Sequence, residues 1–325
     1  LIETVASGVS RLNYPLIDGK VVGCPSHLLE PSRLQKFQYS EDFSQSYWNK
    51  ASSSVTLTSQ IAPNGTSNSV YNLVGTAANL YTGGTTGVQH TMSFYIKSNG
   101  QGKDKFKLRL GNNTSVEYAA TNEWVRYEFT ETPTTSVFGI TTASAPNNEF
   151  NLLIWGAQSE QGSYPTSYIP NYGTSAGVTR SAETANGAGD ASTFNDSEGV
   201  LMAEISALAD DGTFRLITLK GTSQNIRFGF RTNSNMIYLD ISGVAFLTHV
   251  VNDIKDFNKV AIKYGTNGTK LIINGFEVGS DPDNSSFVGI FDLSFNLNGG
   301  SSFYGSTKQI QYFDSALNDS DLEKI

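Results

Sequence analysis

Cysteine, charge and long apolar runs are all scarce in this sequence of 325 residues, and each scarcity excludes a class of protein. Cys24 is the single cysteine, so the chain contains no internal disulfide. Only 16% of the residues are charged and the formal net charge is −8, which disfavours a nucleic-acid partner because its backbone must be neutralised by clustered cations. No apolar run approaches the roughly 20 residues of a spanning helix, so we expect no membrane insertion.

Catalytic patterns are equally scarce. The histidines His27, His90 and His249 lie in separate segments, without an HExxH motif or a serine elbow. A glycoside hydrolase needs two carboxylates about 5 to 10 Å apart, but Glu204 and Asp240 each stand alone in their predicted strands. We therefore predict that the protein is not an enzyme, with a glycoside hydrolase as the least favoured alternative.

What the sequence does contain is alternation with a period of two residues. Apolar and polar residues alternate in 91–97, 105–110, 124–129 and 150–154, which indicates strands with one buried face. Turn residues separate these runs, and Gly alone occurs 31 times. A second series of strand-like runs begins at Val200 and includes a hairpin with Asn-Gly at its turn. The pattern predicts an all-β protein built from sandwiches.

The distribution of these runs predicts four segments. Residues 1–36 show no sustained period and resemble an extended N-terminal arm. Residues 37–172 form a first sandwich, and 173–197 form a linker poor in bulky apolar residues, in which Val178–Arg180 adds an edge strand. Residues 198–325 form a second sandwich.

Short phrases in the first half are similar to a known kind of domain. Residues 39–44 with Trp48, and later 155–158 with 168–170, look like parts of a domain common in bacteriophage structural and tail-fibre proteins. That domain resembles jelly-roll carbohydrate-binding modules. The resemblance implies that 37–172 is a jelly roll.

The second half resembles a different sandwich. Residues 259–264, 271–275 and 309–313 look like strands of a concanavalin A-like, laminin-G-type domain. With the first half, this resemblance covers nearly the whole chain. It implies an all-β fold of two tandem β-sandwiches, a jelly roll and then a concanavalin A-like domain, preceded by the extended arm.

The function that this resemblance implies is that of a phage virion surface protein. It would lie outside the cell on a tail or head fibre, or decorate the capsid, as a homo-oligomer for which a trimer is one arrangement. Its partners would be bacterial surface glycans, bound for host attachment, and other virion proteins. A purely structural decoration or assembly protein and a bacterial secreted adhesin remain alternatives. Because the chain starts at Leu1 without Met, we expect it to be a piece of a longer polypeptide.

Glycan binding needs aromatic platforms and planar polar groups on an exposed face. The outward positions of the first sandwich supply Tyr95, Arg109, Trp124 and Arg126, and Tyr81 would close one end of this face. We predict these five residues as the glycan-binding site. Two alternatives stay open, because the same pattern is typical of a solvated strand face and of a surface covered by another subunit.

The resembled modules often hold a calcium ion. Glu41 and Asp42 at the start of the first sandwich, with Gln158 near its closing strand, would form such a site if the two ends of the domain meet. The alternative is that an aspartate in a turn caps its own backbone. Calcium is therefore the one cofactor that we consider.

Overall fold

A computed structural model describes the chain over residues 9–14, 16–17, 20–146, 148–241, 245–283 and 289–323. Within these ranges the regular secondary structure is almost entirely β-strand, with one helix of four residues, so the predicted all-β fold class is confirmed. No helix in the described ranges is long and apolar enough to cross a membrane.

The N-terminal half of the chain contains short strands followed by longer ones. In chain order these are β1 (Leu12–Asn13), β2 (Leu16–Ile17), β3 (Lys20–Val21), β4 (Ser26–Leu29), β5 (Arg33–Gln35), β6 (Asn49–Leu57), β7 (Tyr71–Gly83), β8 (His90–Ser98), β9 (Lys105–Leu110), β10 (Asn113–Thr114), β11 (Tyr118–Ala119), β12 (Val125–Glu131), β13 (Val137–Thr142), β14 (Glu149–Gln161) and β15 (Val178–Arg180).

The C-terminal half contains the other strands and the helix. In chain order these are β16 (Gly199–Ala207), β17 (Arg215–Gly221), β18 (Asn225–Phe230), β19 (Met236–Ile241), β20 (Ala245–Val250), β21 (Asn258–Gly265), β22 (Gly268–Ile273), β23 (Phe276–Asp281), β24 (Ile290–Ser294), β25 (Gly305–Phe313) and α1 (Asp319–Leu322).

The chain forms two compact units, one of which is discontinuous. The first unit is the continuous stretch Ser32–Ser181. The second unit combines the described residues up to Pro31 with those from Ala182 onward. The domain boundaries drawn from the sequence remain predictions. Strand β15, which falls in the predicted linker, pairs antiparallel with β5 in the first unit.

The second unit includes a strand from the predicted N-terminal arm. Strand β4 pairs antiparallel with β25, with Leu28 opposite Ser306. Nearby, the guanidinium of Arg11 forms an ion pair with the buried carboxylate of Glu30 and donates a hydrogen bond of 2.8 Å to Glu183. A strand of four residues is too short to show a period, so the sequence carries no alternation signal for it.

The first unit is organised around β7, which lies between β13 and β14 in a sheet of the order β10-β9-β13-β7-β14-β8-β12. Its first residues pair with β14 and its last with β13. Between them the strand bends at Gly75 and at Ala77, whose φ is +46°. A Cβ at Gly75 would lie 2.4 Å from the Cβ of Ala78, so the bend requires glycine there.

The core of the first unit confirms the predicted alternation. On β8 the side chains of Met92, Phe94 and Ile96 are fully buried, and the even-numbered apolar residues of β9 and β14 pack in the same cluster. The rings of Trp48 and Phe43 complete this cluster with their centroids 5.1 Å apart. The inward positions therefore form one continuous apolar core within the first unit.

The second unit is a sandwich of two sheets. One sheet has the strand order β1-β4-β25-β16-β21-β22-β23 and the other β20-β19-β18-β17-β24. The predicted Asn-Gly hairpin joins β21 to β22, where Gly265 pairs with Gly268 and the φ of Gly268 is +89°. The core lies between the sheets and includes Ile217, Phe228 and Ile262, each fully buried.

The buried ion pair leads to a prediction about the stability of the second unit. Replacing Arg11 by Met leaves the carboxylates of Glu30 and Glu183 without this cation, and we expect the free energy of unfolding of the second unit to fall by about 3 to 5 kcal/mol. The control Lys255→Met removes an exposed pair with Asp253 and should cost about 1 kcal/mol or less. Urea unfolding measures both, and equal effects would contradict the interpretation.

Candidate functional site

Three of the five predicted glycan-binding residues lie together on the outer face of β8 and β12. Tyr95 of β8 is the direct cross-strand partner of Arg126 of β12. The Arg126 guanidinium lies over the Tyr95 ring, 5.6 Å from its centroid. Trp124 precedes β12 and packs in the same outer cluster. These three residues of the predicted site are therefore neighbours in the structure.

The polar atoms of this group bind the protein's own chain. The indole N–H of Trp124 donates to the carbonyl of Ile61 at 3.0 Å, and Nη1 of Arg126 donates to the carbonyl of Thr166 at 2.6 Å. The Nε and Nη2 groups of Arg126 both donate to the hydroxyl of Ser93. The structure gives these side chains a structural role in fixing two loops, and their role in glycan binding stays a prediction.

Tyr81 and Arg109 lie on a different part of the first unit. Gly139 of β13 is the cross-strand partner of Tyr81 of β7 and also of Arg109 of β9. The three residues therefore form one row on the outward face, opposite in direction to the buried Leu80 and Leu108. The predicted five-residue site is thus divided into a trio and a pair.

The predicted calcium residues lie in a hydrogen-bonded setting. Both carboxylate oxygens of Asp42 accept hydrogen bonds, from Ser44 and the Tyr71 hydroxyl on one side and from the Gln45 amide on the other. Partial burial opposes ionisation of Asp42, but these hydrogen bonds outweigh it and lower its pKa to about 2. Burial raises the pKa of Glu41, although hydroxyl donors oppose that shift.

The third predicted calcium residue, Gln158, is completely buried. Its side-chain oxygen accepts from the main-chain N–H of Ile169 at 2.7 Å, and its amide donates to Glu160 and to the carbonyl of Thr166. Within the described residues, no three His, Cys, Asp or Glu side chains group as metal ligands. The calcium site stays a prediction, while the structure shows Gln158 binding the main chain.

The two ends of the first sandwich do meet, as the calcium hypothesis required. The main-chain N–H of Ser40 donates to the carbonyl of Asn171 at 3.0 Å, and the Ala157 N–H donates to the carbonyl of Ser40 at 2.8 Å. The Ser40 hydroxyl accepts from the Tyr168 hydroxyl at 2.7 Å. Hydrogen bonds between chain segments hold this junction.

The two carboxylates considered for hydrolysis face away from each other. Glu204 lies on the outer face of the seven-stranded sheet and Asp240 on the outer face of the five-stranded one, on opposite sides of the second unit's core. Each is paired with a cation, Glu204 with Lys308 at 3.0 Å and Asp240 with Arg227 at 2.8 Å. They do not form the convergent pair that glycoside hydrolysis requires.

The second unit carries an aromatic group that the sequence analysis did not single out. The guanidinium of Arg231 lies 4.6 Å from the ring centroid of Phe246 and about 6 Å from those of Phe214 and Tyr238. Phe246 is 54% exposed and Phe214 37% exposed. The signal available in the sequence was the outward position of Tyr238 in its alternating strand.

Arg126 allows a test of the structural role of the trio. Its replacement by Met removes the donors to Thr166 and Ser93, and we expect the free energy of unfolding of the first unit to fall by about 1 to 3 kcal/mol. Lys97 is a neighbouring cation on the same strand face, and Lys97→Met should stay within about 0.5 kcal/mol. Chemical denaturation measures both variants. Equal stability of the two variants would remove the basis for the assigned role.

The lowered pKa of Asp42 predicts an acid dependence of stability. The folded state favours the charged form, so this contribution is present above the ordinary aspartate pKa of about 4 and is lost as the pH falls towards 2. We expect the free energy of unfolding of the variant Asp42→Asn to fall less between pH 4 and pH 2 than that of the parent protein. A variant whose acid dependence matches that of the parent protein would contradict this.

Comparisons with known proteins give similarities at low sequence identity to solved structures alone. No protein-family model matches it, and the search of curated proteins gives no match. Among solved structures it is similar to the CBM40 module of the Ruminococcus gnavus IT-sialidase bound to α2,3-sialyllactose, with a TM-score of 0.35 and 15% identity over 44% of this chain and 95% of that chain.

Two further solved structures have similar scores. The heptameric SAP-like pentraxin of Limulus polyphemus gives a TM-score of 0.32 and 10% identity over 39% of this chain and 68% of that chain. The binding domain of botulinum neurotoxin serotype G gives 0.32 and 9% identity over 71% of this chain and 49% of that chain.

Proposed function

We propose that this protein is a non-enzymatic glycan-binding protein, and that the outward face of β6, β7, β13 and β9 is its sugar-binding surface. The observation that carries the proposal is the row formed by Tyr81, Gly139 and Arg109. It places an aromatic ring and a guanidinium on either side of a residue without a side chain.

The strand pairing leaves no room for a side chain in the middle of this row. A Cβ at Gly139 would lie 2.0 Å from the carbonyl oxygen of Leu80 and 2.7 Å from the Cα of Tyr81, so the position is restricted to glycine. The strands that carry Tyr81 and Arg109 are two inter-strand spacings apart, or about 10 Å. Gly139 is itself buried, so a sugar ring would lie over the row, where it would stack on the tyrosine. It would receive hydrogen bonds from the Arg109 donors other than Nε, which donates to the carbonyl of Gly111.

A neighbouring row supplies further polar groups on the same face. Thr141 of β13 is the cross-strand partner of both Asn79 of β7 and Lys107 of β9. All three side chains are partly exposed. A hydroxyl, an amide and an ammonium group therefore lie beside the aromatic row, which suits a ligand with many hydroxyl groups. The open sheet face also suits an extended chain of sugars.

The proposed setting is the virion surface of a bacteriophage, on a tail or head fibre, with bacterial surface glycans as the host ligands. This part of the proposal rests on the phrases at 39–44, 155–158 and 168–170. Shallow sugar sites bind weakly, so attachment would depend on several copies acting together in a homo-oligomer. Other virion proteins would be its assembly partners.

The second candidate function is structural decoration or assembly without sugar binding. The exposed group of Phe214 and Phe246 around Arg231 favours it, because exposed aromatic and arginine side chains are typical of protein interfaces. In that case the second unit would dock another virion protein through this surface.

Glycan binding is tested by measuring the protein on a bacterial-glycan array and on host cells. We expect Tyr81→Ala to weaken binding by about fivefold, since each lost stacking contact is worth about 1 kcal/mol, with unchanged unfolding. The control Tyr172→Ala removes a tyrosine that is 73% exposed outside the proposed face and should leave binding intact. A folded protein that binds no glycan would favour the decoration function instead.

A further inference from the structure

A cavity of about 300 Å³ lies beside the hydrophobic core of the first unit. On β8 the inward positions occupied by Phe94 and Met92 continue to His90, and on β14 the inward position of Ala157 continues to Ser159. The apolar core thus gives way to polar side chains at this end. Both His90 and Ser159 line the cavity.

His90 is buried, and its imidazole lies close to the main-chain carbonyl of Glu160. Only 2% of the residue is exposed, and among the described residues neither ring nitrogen has a hydrogen-bond partner of acceptable geometry. The ring makes an edge contact with Phe138, with the centroids 5.6 Å apart. This contact fixes the imidazole within the wall of the cavity.

Ser159, on the neighbouring strand β14, is also a buried polar residue at the cavity. It is 1% exposed, and its hydroxyl has no hydrogen-bond partner within the ranges that the structure describes. Its main chain is held on both sides, because its N–H donates to the Gln35 side chain at 2.9 Å and its carbonyl accepts from the Lys36 N–H at 3.0 Å. The hydroxyl is therefore held at the cavity wall.

Two such groups on one cavity require a physical explanation. A buried polar group without a partner costs about 1 to 3 kcal/mol, and native proteins contain few of them. A neutral imidazole offers one donor and one acceptor, and a hydroxyl offers both. His90 and Ser159 therefore match a ligand whose own groups donate and accept, which is the property of sugar hydroxyls.

The mouth of the cavity adds a positive charge. Lys36 lies at the rim and is exposed. Burial lowers the pKa of His90 and the ammonium of Lys36 lowers it further, while the main-chain carbonyl of Glu160 opposes the shift. The ammonium group of Lys36 is therefore close enough to the imidazole to act on it, and the imidazole stays neutral at pH 7. The hydroxyls of Tyr47, Thr85 and Ser136 complete the polar lining.

We infer that this cavity binds a hydroxylated carboxylate the size of one sugar residue, with Lys36 pairing its carboxylate and His90 and Ser159 binding its hydroxyls. The volume is at the lower end of the range of about 300 to 1,000 Å³ that ligand pockets occupy, which limits the ligand to a small one. Tyr81 and Arg109 are not among the residues that line the cavity, so this site is separate from the proposed sheet face.

A ligand with this chemistry is either a free sugar acid or the terminal acidic residue of a glycan. Titration of the full chain with sodium glucuronate, with an oligosaccharide that ends in glucuronate and with glucose distinguishes the two ligands. We expect saturable glucuronate binding in the millimolar range and at least about tenfold weaker binding of glucose, because a charged hydrogen bond is lost. The oligosaccharide arm shows whether the pocket accepts a linked residue.

Two variants locate this binding at the cavity, and two further variants are controls. Lys36→Ala should weaken glucuronate binding by about tenfold or more, and Ser159→Ala by about three- to tenfold. Lys103→Ala removes another exposed lysine of the first unit and should change nothing. Tyr81→Ala, which tests the sheet face, should also leave glucuronate binding intact. The two sites can therefore fail independently.

His90→Leu separates a ligand-binding role from a structural one. Because the variant removes a buried imidazole without a partner, its thermal unfolding midpoint should be unchanged or higher, while glucuronate binding is lost. The proposal is overturned if glucuronate does not bind, if glucose binds equally well, or if Ser159→Ala and His90→Leu remain folded and bind as tightly as the parent protein.

Discussion

The buried side-chain amides of Gln35 and Gln158 hold β14 between the segments that precede and follow the first sandwich. The Gln35 amide donates to the carbonyl of Ala157, and its oxygen accepts from Phe37 and Ser159. An apolar residue at either glutamine would leave main-chain groups unpaired in the interior, at a cost of about 1 to 3 kcal/mol for each group. The cavity wall at Ser159 and the loop that follows Gln158 both depend on this pair.

Hydrogen bonds close the first sandwich at the place where a calcium ion was considered. The closing residues include the amide of Gln158 and the hydroxyls of Ser40 and Tyr168, all of them buried. The junction also contains a charge, because the fully buried carboxylate of Glu160 accepts from the Gln158 amide and pairs with Arg33 at 3.5 Å. Lys36 lies apart from these groups at the cavity mouth, and no carboxylate is among the described residues that line the cavity.

Local alternation was sufficient to predict the inward residues and the meeting of Tyr95, Trp124 and Arg126, because neighbouring strands β8 and β12 pair in simple register. It could not predict that the loop at Ile61 covers this group, since the loop has no period. The pairing of Tyr81 with Gly139 and Arg109 joins three strands in a register that a single sequence does not specify. A lone histidine such as His90 carries no signal of the cavity that it lines.

The discontinuity of the second unit has a consequence for biosynthesis. Strand β4 is translated well before its partner β25, so Leu28 can pair with Ser306 only after the residues between them have been made. The first unit, by contrast, is encoded without interruption and is able to fold while synthesis continues. Strand β4 therefore remains without β25 while the segment between them is translated, a period in which its open edge is exposed to misassembly.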